Sequence, residues 1–285
     1  MSTEAVAAAL GLEVVDLLPG GEHQVWAVRD DSGSECVLKL FARREAARLE
    51  LAVATAVRVR AREVPVPDPY VAGVAAGCAY TLQARCRGAV PEWLEDAHAR
   101  QLLGYWEAHR DAVPEGSDWP ERAVAALCGG DRELFADHAP VRATGGPAAR
   151  LLDEIVVVGQ AADPSTLRGT DAMHGDWHHR NLLVDGERVT GIIDWENARP
   201  GDARLDLVLL SYWTSVYAGI GVAPSAATRV GAAADRVVEP EARALLCAVV
   251  ALHQLWFVCA FRPERLTETV DQVRRHLAPH WSTRG

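Results

Sequence analysis

The stretch that decides the fold is His-Gly-Asp-Trp-His-His-Arg-Asn at residues 174–181, followed after a short gap by Gly-Ile-Ile-Asp-Trp-Glu at residues 191–196. Between them, an apolar run, an Asp-Gly turn and a second apolar run are typical of a β-hairpin. Because a hairpin brings its two ends together, Asn181 and Asp194 are expected to lie side by side, with Asp176 on the preceding loop. The sequence therefore predicts a cluster of oxygen-bearing side chains at one end of the hairpin.

The residue types in this cluster favour metal-assisted phosphoryl transfer. Carboxylate and amide oxygens are ligands that Mg²⁺ prefers, with water and phosphate completing its coordination. A second carboxylate that is not on the metal can take a proton from a nucleophile. Asp-x4-Asn followed by an aspartate on a strand is the layout of the kinase catalytic and metal loops. The alternative is a zinc site of Asp176 with His174, His178 and His179, but this spacing is not a strong zinc pattern and no cysteine is near.

The basic residues are distributed unevenly, since Lys39 is the only lysine among 29 lysines and arginines. This arises either by chance or because arginine will not serve there, as a compact ammonium and a flat guanidinium are not interchangeable at a tight contact. In the expected strand 36–41, alternation places Lys39 on the same face as Val37 and Phe41. We therefore expect the ammonium in an interior or cleft setting, where it needs a partner.

The composition bounds the class of protein. The 285 residues are 49% hydrophobic and 24% charged, which excludes wholesale disorder. The net charge of −10 argues against nucleic acid or an anionic membrane as the main partner. The most apolar stretch, residues 244–261, contains His253 and Gln254 and predicts a buried helix rather than a membrane span. An N-terminus without a basic region predicts a cytoplasmic protein, in which the six cysteines are reduced.

Two regions of different character follow one another along the chain. Short strand patterns and turns surround one helical segment, residues 43–63, in the first part. After about residue 90, helical patterns dominate to the C-terminus, apart from the hairpin. We therefore predict an α+β fold with a small β-rich lobe at residues 1–86 and a larger, mainly helical lobe at residues 87–285.

Three segments together resemble the aminoglycoside phosphotransferase family, namely HGDxxxxN, IIDWE and the later run Gly-Asp-Ala-Arg-Leu-Asp-Leu at residues 201–207. That family is similar to the choline kinases and, more distantly, to protein kinases. The resemblance implies a protein-kinase-like bilobal fold, with an antiparallel-sheet N-terminal nucleotide-binding lobe and a C-terminal catalytic and acceptor-binding lobe. It also implies that Asp176 is the catalytic base and that Asn181 and Asp194 hold Mg²⁺. His174 and Asp206 are expected to brace the catalytic loop.

The resemblance extends to the nucleotide-binding residues of the first lobe. It implies that Lys39 contacts the α- and β-phosphates of ATP, with GTP as the alternative nucleotide. The following helix is expected to supply the carboxylate that pairs with this lysine, with Glu50 as the first candidate and Glu45 as the second. Glycines at the turn of residues 18–28 are expected to cover the nucleotide, and the backbone of the hinge is expected to bond the adenine. These nucleotide-binding residues are Gly20 and Gly21 at the turn and Gln83, Ala84 and Cys86 at the hinge.

The acceptor is the least determined part of the prediction. Between Glu92 and Asp137, eleven acidic residues stand against four arginines, which either recruit a cationic acceptor or merely solvate exposed helices. We expect transfer of the γ-phosphate to a hydroxyl of an antibiotic, either an aminoglycoside or a cationic peptide such as viomycin or capreomycin, which inactivates it. The chain is expected to act as a monomer or homodimer.

Alternative functions remain open at this level. One is a metabolic kinase of the same fold that acts on choline, homoserine or a sugar. Another is a kinase-fold module that binds without catalysis, although such a module has no need of a catalytic base. A eukaryotic-type protein kinase is disfavoured because the chain has no Asp-Phe-Gly and no Ala-Pro-Glu motif.

Overall fold

The computed structural model describes residues 3–18, 24–131 and 137–281, and it has the predicted α+β composition. The strands are β1 (Glu13–Leu18), β2 (Val25–Arg29), β3 (Glu35–Phe41), β4 (Tyr70–Ala75), β5 (Cys78–Ala84), β6 (Asp171–Met173), β7 (Leu182–Asp185), β8 (Arg188–Ile192) and β9 (Arg199–Gly201). The helices are α1 (Thr3–Ala9), α2 (Ala46–Arg60), α3 (Asp96–Glu107), α4 (Trp119–Leu127), α5 (His138–Thr144), α6 (Gly146–Gln160), α7 (Arg204–Val216), α8 (Pro224–Val237), α9 (Pro240–Phe261) and α10 (Leu266–His276).

By its internal contacts the chain divides into two compact units. The first contains Met1–Pro91, His174–Asp176 and Arg180–Arg199, and the second contains the remaining residues. The predicted boundary after residue 86 differs from this division, because the hairpin of β7 and β8 and the residues after it make their contacts in the first unit. Asp176, Asn181 and Asp194 therefore belong to the same unit as Lys39.

The first unit is built on an antiparallel sheet that, among the described residues, has five strands in the order β1-β2-β3-β5-β4. Residues directly opposite each other on neighbouring strands share a face of the sheet. The register pairs Lys39 with Thr81 and Val37 with Gln83. These four side chains therefore lie on one face, in agreement with the predicted alternation.

Helices cover both faces of this sheet. On one face, Val6 of α1 packs in a cluster with Val28 and Leu38. On the other, Leu49 of α2 packs with Phe41 and Ala79. Lys39 shares the α2 face and is only 7% exposed, so the expected interior setting of its ammonium is confirmed.

In the second unit, α9 packs against α5, α6, α7 and α10. By length and composition it is the one helix of the described ranges that is apolar enough to cross a membrane, and 56% of its most apolar window is buried. This packing against neighbouring helices agrees with the core helix predicted for residues 244–261.

The motif at residues 201–207 forms the buried, polar start of α7. The fully buried Asp202 accepts a hydrogen bond from the Arg168 backbone N–H at 2.9 Å and pairs with the Arg204 guanidinium at 2.7 Å. Two residues later, the Asp206 carboxylate lies 3.6 Å from the His109 ring, which packs edge-on against Trp177 at 4.7 Å between ring centroids. Asp206 is thus connected through the His109 ring to Trp177, the residue that directly follows Asp176.

Candidate active site

The β7–β8 hairpin brings Asn181 next to the segment that carries Asp194. The two strands pair Leu182 with Ile192 at the open end of the hairpin. Beyond this pair, the Ile193 backbone N–H donates to the Asn181 carbonyl at 3.0 Å. The predicted adjacency of Asn181 and the Asp194 segment is therefore present, because the short turn between the strands sets the register.

Asn181 and Asp176 are joined by direct hydrogen bonds. The side-chain amide of Asn181 donates to the Asp176 carboxylate at 3.0 Å and to the Asp176 backbone carbonyl at 2.9 Å. Since the amide nitrogen is committed to these two acceptors, the orientation of Asn181 is set. Its amide oxygen is the atom of the type that a hard cation takes as a ligand.

His174 and Gly175 hold the loop that carries Asp176. His174 is fully buried, with Nε2 2.9 Å from the Ile193 carbonyl oxygen and with Nδ1 accepting from the Asp176 backbone N–H at 3.2 Å. Gly175 has φ 79°, and a Cβ there would lie 2.8 Å from the Asn197 carbonyl oxygen. The motif therefore needs glycine for both its backbone conformation and this close approach.

These contacts also bear on the zinc alternative. Within the described ranges, no group of three or more His, Cys, Asp or Glu side chains is arranged to hold a metal ion. Both ring nitrogens of His174 are occupied by backbone groups. The His174 ring is thus already engaged by the backbone.

Asp194 follows the hairpin in a left-handed backbone conformation, with φ 65° and ψ 46°. Among residues with a Cβ, aspartate and asparagine adopt this conformation most readily, and such outliers concentrate at functional sites. The next residue, Trp195, is fully buried and donates its indole N–H to the Ile192 carbonyl at 2.7 Å. The buried Trp195 thus anchors the turn, while the Asp194 side chain remains 40% exposed.

Lys39 lies between two carboxylates of this segment. Its Nζ is 2.5 Å from Asp194 Oδ1 and 2.9 Å from Glu196 Oε1. Burial lowers the pKa of the Lys39 ammonium, but the nearby Glu196 and Asp194 charges outweigh this effect and raise the pKa above its usual value. Lys39 is therefore a permanently charged group in a buried, fully paired setting.

The structure corrects the predicted partner of Lys39. The phase of α2 turns Leu49 and Ala52 inward and leaves Glu50 on the exposed face. The second candidate, Glu45, pairs with Arg48 at 2.8 Å. The lysine is paired with Glu196 instead. Glu196 is part of the IIDWE motif, but sequence spacing does not predict that it pairs with Lys39.

Two further residues of this region had no predicted role. Arg48 of α2 donates from Nη1 to the Glu196 carbonyl at 2.5 Å and to Asn197 Oδ1 at 3.2 Å. The Tyr70 hydroxyl is buried and has no hydrogen-bond partner among the described residues. Burial first, and the charges of Glu196 and Asp194 second, raise the pKa of this phenol well above its usual value. Tyr70 is thus a neutral group close to the paired carboxylates.

The predicted hinge residues lie at the end of β5. Gln83 is buried within the sheet, and its Oε1 has no hydrogen-bond partner in the part of the chain that the structure describes. The Ala84 backbone N–H donates to the Pro69 carbonyl at 2.8 Å, and the Arg85 N–H donates to the Glu35 carbonyl at 3.1 Å. Cys86 is half-buried and follows these sheet contacts. Gly20 and Gly21 lie outside the described residues.

The assembled residues fit a divalent cation and a phosphate chain. Asn181 and Asp194 are brought to one place and offer one amide and one carboxylate oxygen, which suits Mg²⁺ when phosphate and water complete the shell. Lys39 adds a positive charge beside Asp194. Asp176 supplies a carboxylate held by Asn181. This is the set of charges that phosphoryl transfer requires.

Comparison with known proteins places this geometry in a family. The model of the family described as APH, phosphotransferase enzyme family, matches residues 14–246. The comparison with curated proteins finds no match.

Solved structures share the fold at low sequence identity. A thermostable mutant of aminoglycoside phosphotransferase APH(4)-Ia, in a ternary complex with ADP and hygromycin B, is 16% identical, with a TM-score of 0.66 over 95% of both chains. A GDP complex of an aminoglycoside 2'-phosphotransferase IIIa mutant is 15% identical, with a TM-score of 0.63 over 99% of this chain and 98% of that one. The amicoumacin kinase hAmiN, in complex with AMP-PNP, Ca²⁺ and Ami, is 14% identical, with a TM-score of 0.55 over 94% and 91%.

The family match spans most of the chain, and the structural matches confirm the predicted kinase-like α+β fold. The chain therefore belongs to the APH phosphotransferase enzyme family and is a phosphotransferase.

Proposed function

We propose that this phosphotransferase moves the γ-phosphate of ATP, with Mg²⁺, to a hydroxyl of an antibiotic, and that it does so in the cytoplasm. The observation that carries the proposal is the hydrogen-bonded pair of Asp176 and Asn181 next to the ion pair of Lys39 and Asp194 in one compact unit. A protein that only bound nucleotide would need the lysine and the metal ligands, but it would have no need of Asp176.

Each of these residues has a distinct role in the proposed reaction. Asp176 orients the acceptor hydroxyl and takes its proton, while the hydrogen bond from Asn181 keeps the carboxylate in place. Asn181 and Asp194 would hold Mg²⁺, which neutralises charge on the phosphates when it is bound. Lys39 binds the phosphate chain as a point charge. Positioning and charge neutralisation together account for most of the catalysis that phosphoryl transfer needs.

For the adenine, we propose that the backbone at Cys86 is the binding edge of the hinge. The N–H groups of Ala84 and Arg85 already donate to the carbonyls of Pro69 and Glu35, which leaves Cys86 as the next residue that could offer its backbone to the adenine. The buried Gln83 then lines the proposed adenine site and is not the residue whose backbone bonds the adenine. ATP is the proposed donor and GTP is the alternative, and competition between the two nucleotides in a steady-state assay tests which of them is used.

For the acceptor, two features support a cationic antibiotic. The solved relatives include a complex with hygromycin B and an amicoumacin kinase in complex with Ami. The acidic stretch between Glu92 and Asp137 supplies negative charge, although part of it is already paired, since Asp96 binds Arg100 and Arg229. If the stretch recruits a cation, the KM of the acceptor rises with ionic strength. A KM that stays flat with salt contradicts the steering role.

The experiment that tests the function is coupled ADP release across a panel of acceptors. The panel contains aminoglycosides, cationic peptides such as viomycin and capreomycin, and the metabolic alcohols choline, homoserine and simple sugars. We expect turnover with an antibiotic, and we expect it to vanish in Asp176→Asn. ATP binding without turnover on any acceptor would favour a non-catalytic binding module.

One observation favours choline-like acceptors as a second candidate. Within the second unit, Trp213 stacks on Tyr217 at 5.7 Å between ring centroids, and His178 packs edge-on against Trp213 at 6.0 Å. His178 stands two residues after Asp176 in the chain, and all three rings are partly exposed. Aromatic faces bind quaternary ammonium groups. Turnover of choline that falls sharply in Trp213→Leu, with aminoglycosides inactive, would establish this candidate.

A further inference from the structure

The carboxylates that hold Lys39 both come from the short segment after the hairpin, but they differ in exposure. The side chain of Asp194 is 40% exposed, whereas that of Glu196 is 11% exposed. Glu196 is also enclosed on the sheet side, where the Thr81 hydroxyl donates to its Oε1 at 3.5 Å. An exposed carboxylate can turn towards a metal ion, and an enclosed one stays with its buried partner.

We infer that Glu196 is the residue that positions Lys39 for the triphosphate, in the role expected of Glu50, and that Asp194 is thereby left available to the metal. This inference rests on the proposed function. Lysine has a long, flexible stem, so a buried ammonium needs a fixed partner to hold it in one geometry. Glu196 provides that partner at 2.9 Å, from a side chain that is only 11% exposed.

Helix α2 takes part in this arrangement through an arginine rather than a glutamate. Arg48 donates to the backbone carbonyl of Glu196 at 2.5 Å and to the side chain of Asn197 at 3.2 Å. Its Nε is held in turn by Glu45 at 2.8 Å. The helix therefore fixes the backbone of the segment, and the segment fixes the lysine. Arg48 and Glu196 are positioning residues, since neither is placed against the reacting atoms.

The test compares Glu196→Gln with the matched control Glu50→Gln, which removes an exposed charge from α2. We expect Glu196→Gln to raise the KM for ATP and weaken the binding of ADP in EDTA, each by about 10-fold or more, as for a lost hydrogen bond to a charged group. Glu50→Gln is expected to leave both quantities within about 2-fold of wild type, as for a surface change. Equal behaviour of the two variants overturns the inference.

A double-mutant cycle separates lysine positioning from direct metal binding by Glu196. If Glu196 acts through Lys39, adding Glu196→Gln to Lys39→Met produces little further loss of ADP affinity in EDTA, because the residue to be positioned is already absent. If Glu196 is a metal ligand, Glu196→Gln instead changes only the Mg²⁺ concentration required for binding and leaves metal-free ADP affinity unchanged. That second pattern overturns the inference.

Two further measurements distinguish a folding defect of Glu196→Gln from a failure of the proposed function. If Glu196→Gln does not fold, Glu196→Asp keeps the charge but withdraws it by one methylene group. In this variant the affinity for ADP in EDTA is expected to fall several-fold. On a logarithmic scale this is about half of the loss expected when a whole hydrogen bond is removed. Wild-type affinity in a folded Glu196→Asp overturns the inference. Failure of the wild-type protein to bind ADP or ATP under any condition would instead overturn the proposed function, and the inference with it.

Discussion

The segment at residues 194–197 and helix α2 both contribute to the Lys39 site, but they contribute opposite charges. The segment supplies the two carboxylates that pair with the ammonium, at 2.5 Å and 2.9 Å. The helix supplies Arg48, which binds the backbone of the segment. The comparison teaches that the ionic contacts of the site are concentrated in one short turn, and that the helix supports this turn rather than the lysine itself.

The largest effect is expected at Asp176, on the loop that precedes the β7–β8 hairpin. In Asp176→Asn the hydrogen bond from Asn181 can persist, because the new amide oxygen still accepts it, while the proton acceptor is lost. We expect kcat to fall by about 10² to 10⁴, with nucleotide affinity close to wild type. Steady-state kinetics and calorimetry on the same preparation measure the two quantities. Near-normal turnover would remove Asp176 from the role of base.

A smaller effect is expected at Lys39, which the 194–197 segment holds. Lys39→Arg keeps the charge, but a planar guanidinium does not fit between two carboxylates placed for a compact ammonium. We expect kcat/KM for ATP to fall by about 10-fold to 100-fold. Arg44→Lys, which exchanges the same pair of residue types at an exposed position, is the control. A fully active Lys39→Arg enzyme would mean that the single lysine of the chain is an accident of composition.

The smallest effect is expected at Arg48 of α2. Arg48→Ala removes two hydrogen bonds to the 194–197 segment, and it is expected to lower the free energy of unfolding by about 1–2 kcal/mol. The exposed neighbour Arg44 gives the matched variant Arg44→Ala, for which the change is expected to stay within about 0.5 kcal/mol. Urea denaturation of both variants measures the difference. Equal stabilities would show that α2 does not support the segment through Arg48.

The positions of the residues on and next to the hairpin could be predicted from the sequence better than the inward face of α2, for a physical reason. Asp176, Asn181 and Asp194 are separated by a loop and a tight hairpin, so local spacing determines that they meet. The burial of Lys39 follows from alternation along one strand. The face of α2 that turns inward depends on the packing of Leu49 against Phe41 and Ala79, which is a contact between distant parts of the chain.

The role of Glu196 was also beyond local reasoning. The left-handed conformation of Asp194 starts a short 3₁₀ turn, Trp195–Asn197, that directs Glu196 back towards the sheet. Strand alternation continued past Asp194 does not describe this reversal. The charge pair of Lys39 and Glu196 therefore emerges only when the turn is known, although both residues belong to the motifs that identify the family.

The central claim is that Asp194, with Asn181, binds the metal that brings the nucleotide to Lys39. Calorimetric titration of AMP-PNP, with Mg²⁺ and in EDTA, into wild-type protein and Asp194→Asn tests it most directly. Asparagine tolerates the left-handed backbone at this position, so the fold is kept while the charge is lost. The account predicts that Mg²⁺ strengthens binding to wild type and strengthens binding to Asp194→Asn far less, because the charge of the ligand is lost. Equal strengthening by Mg²⁺ in both proteins would contradict it.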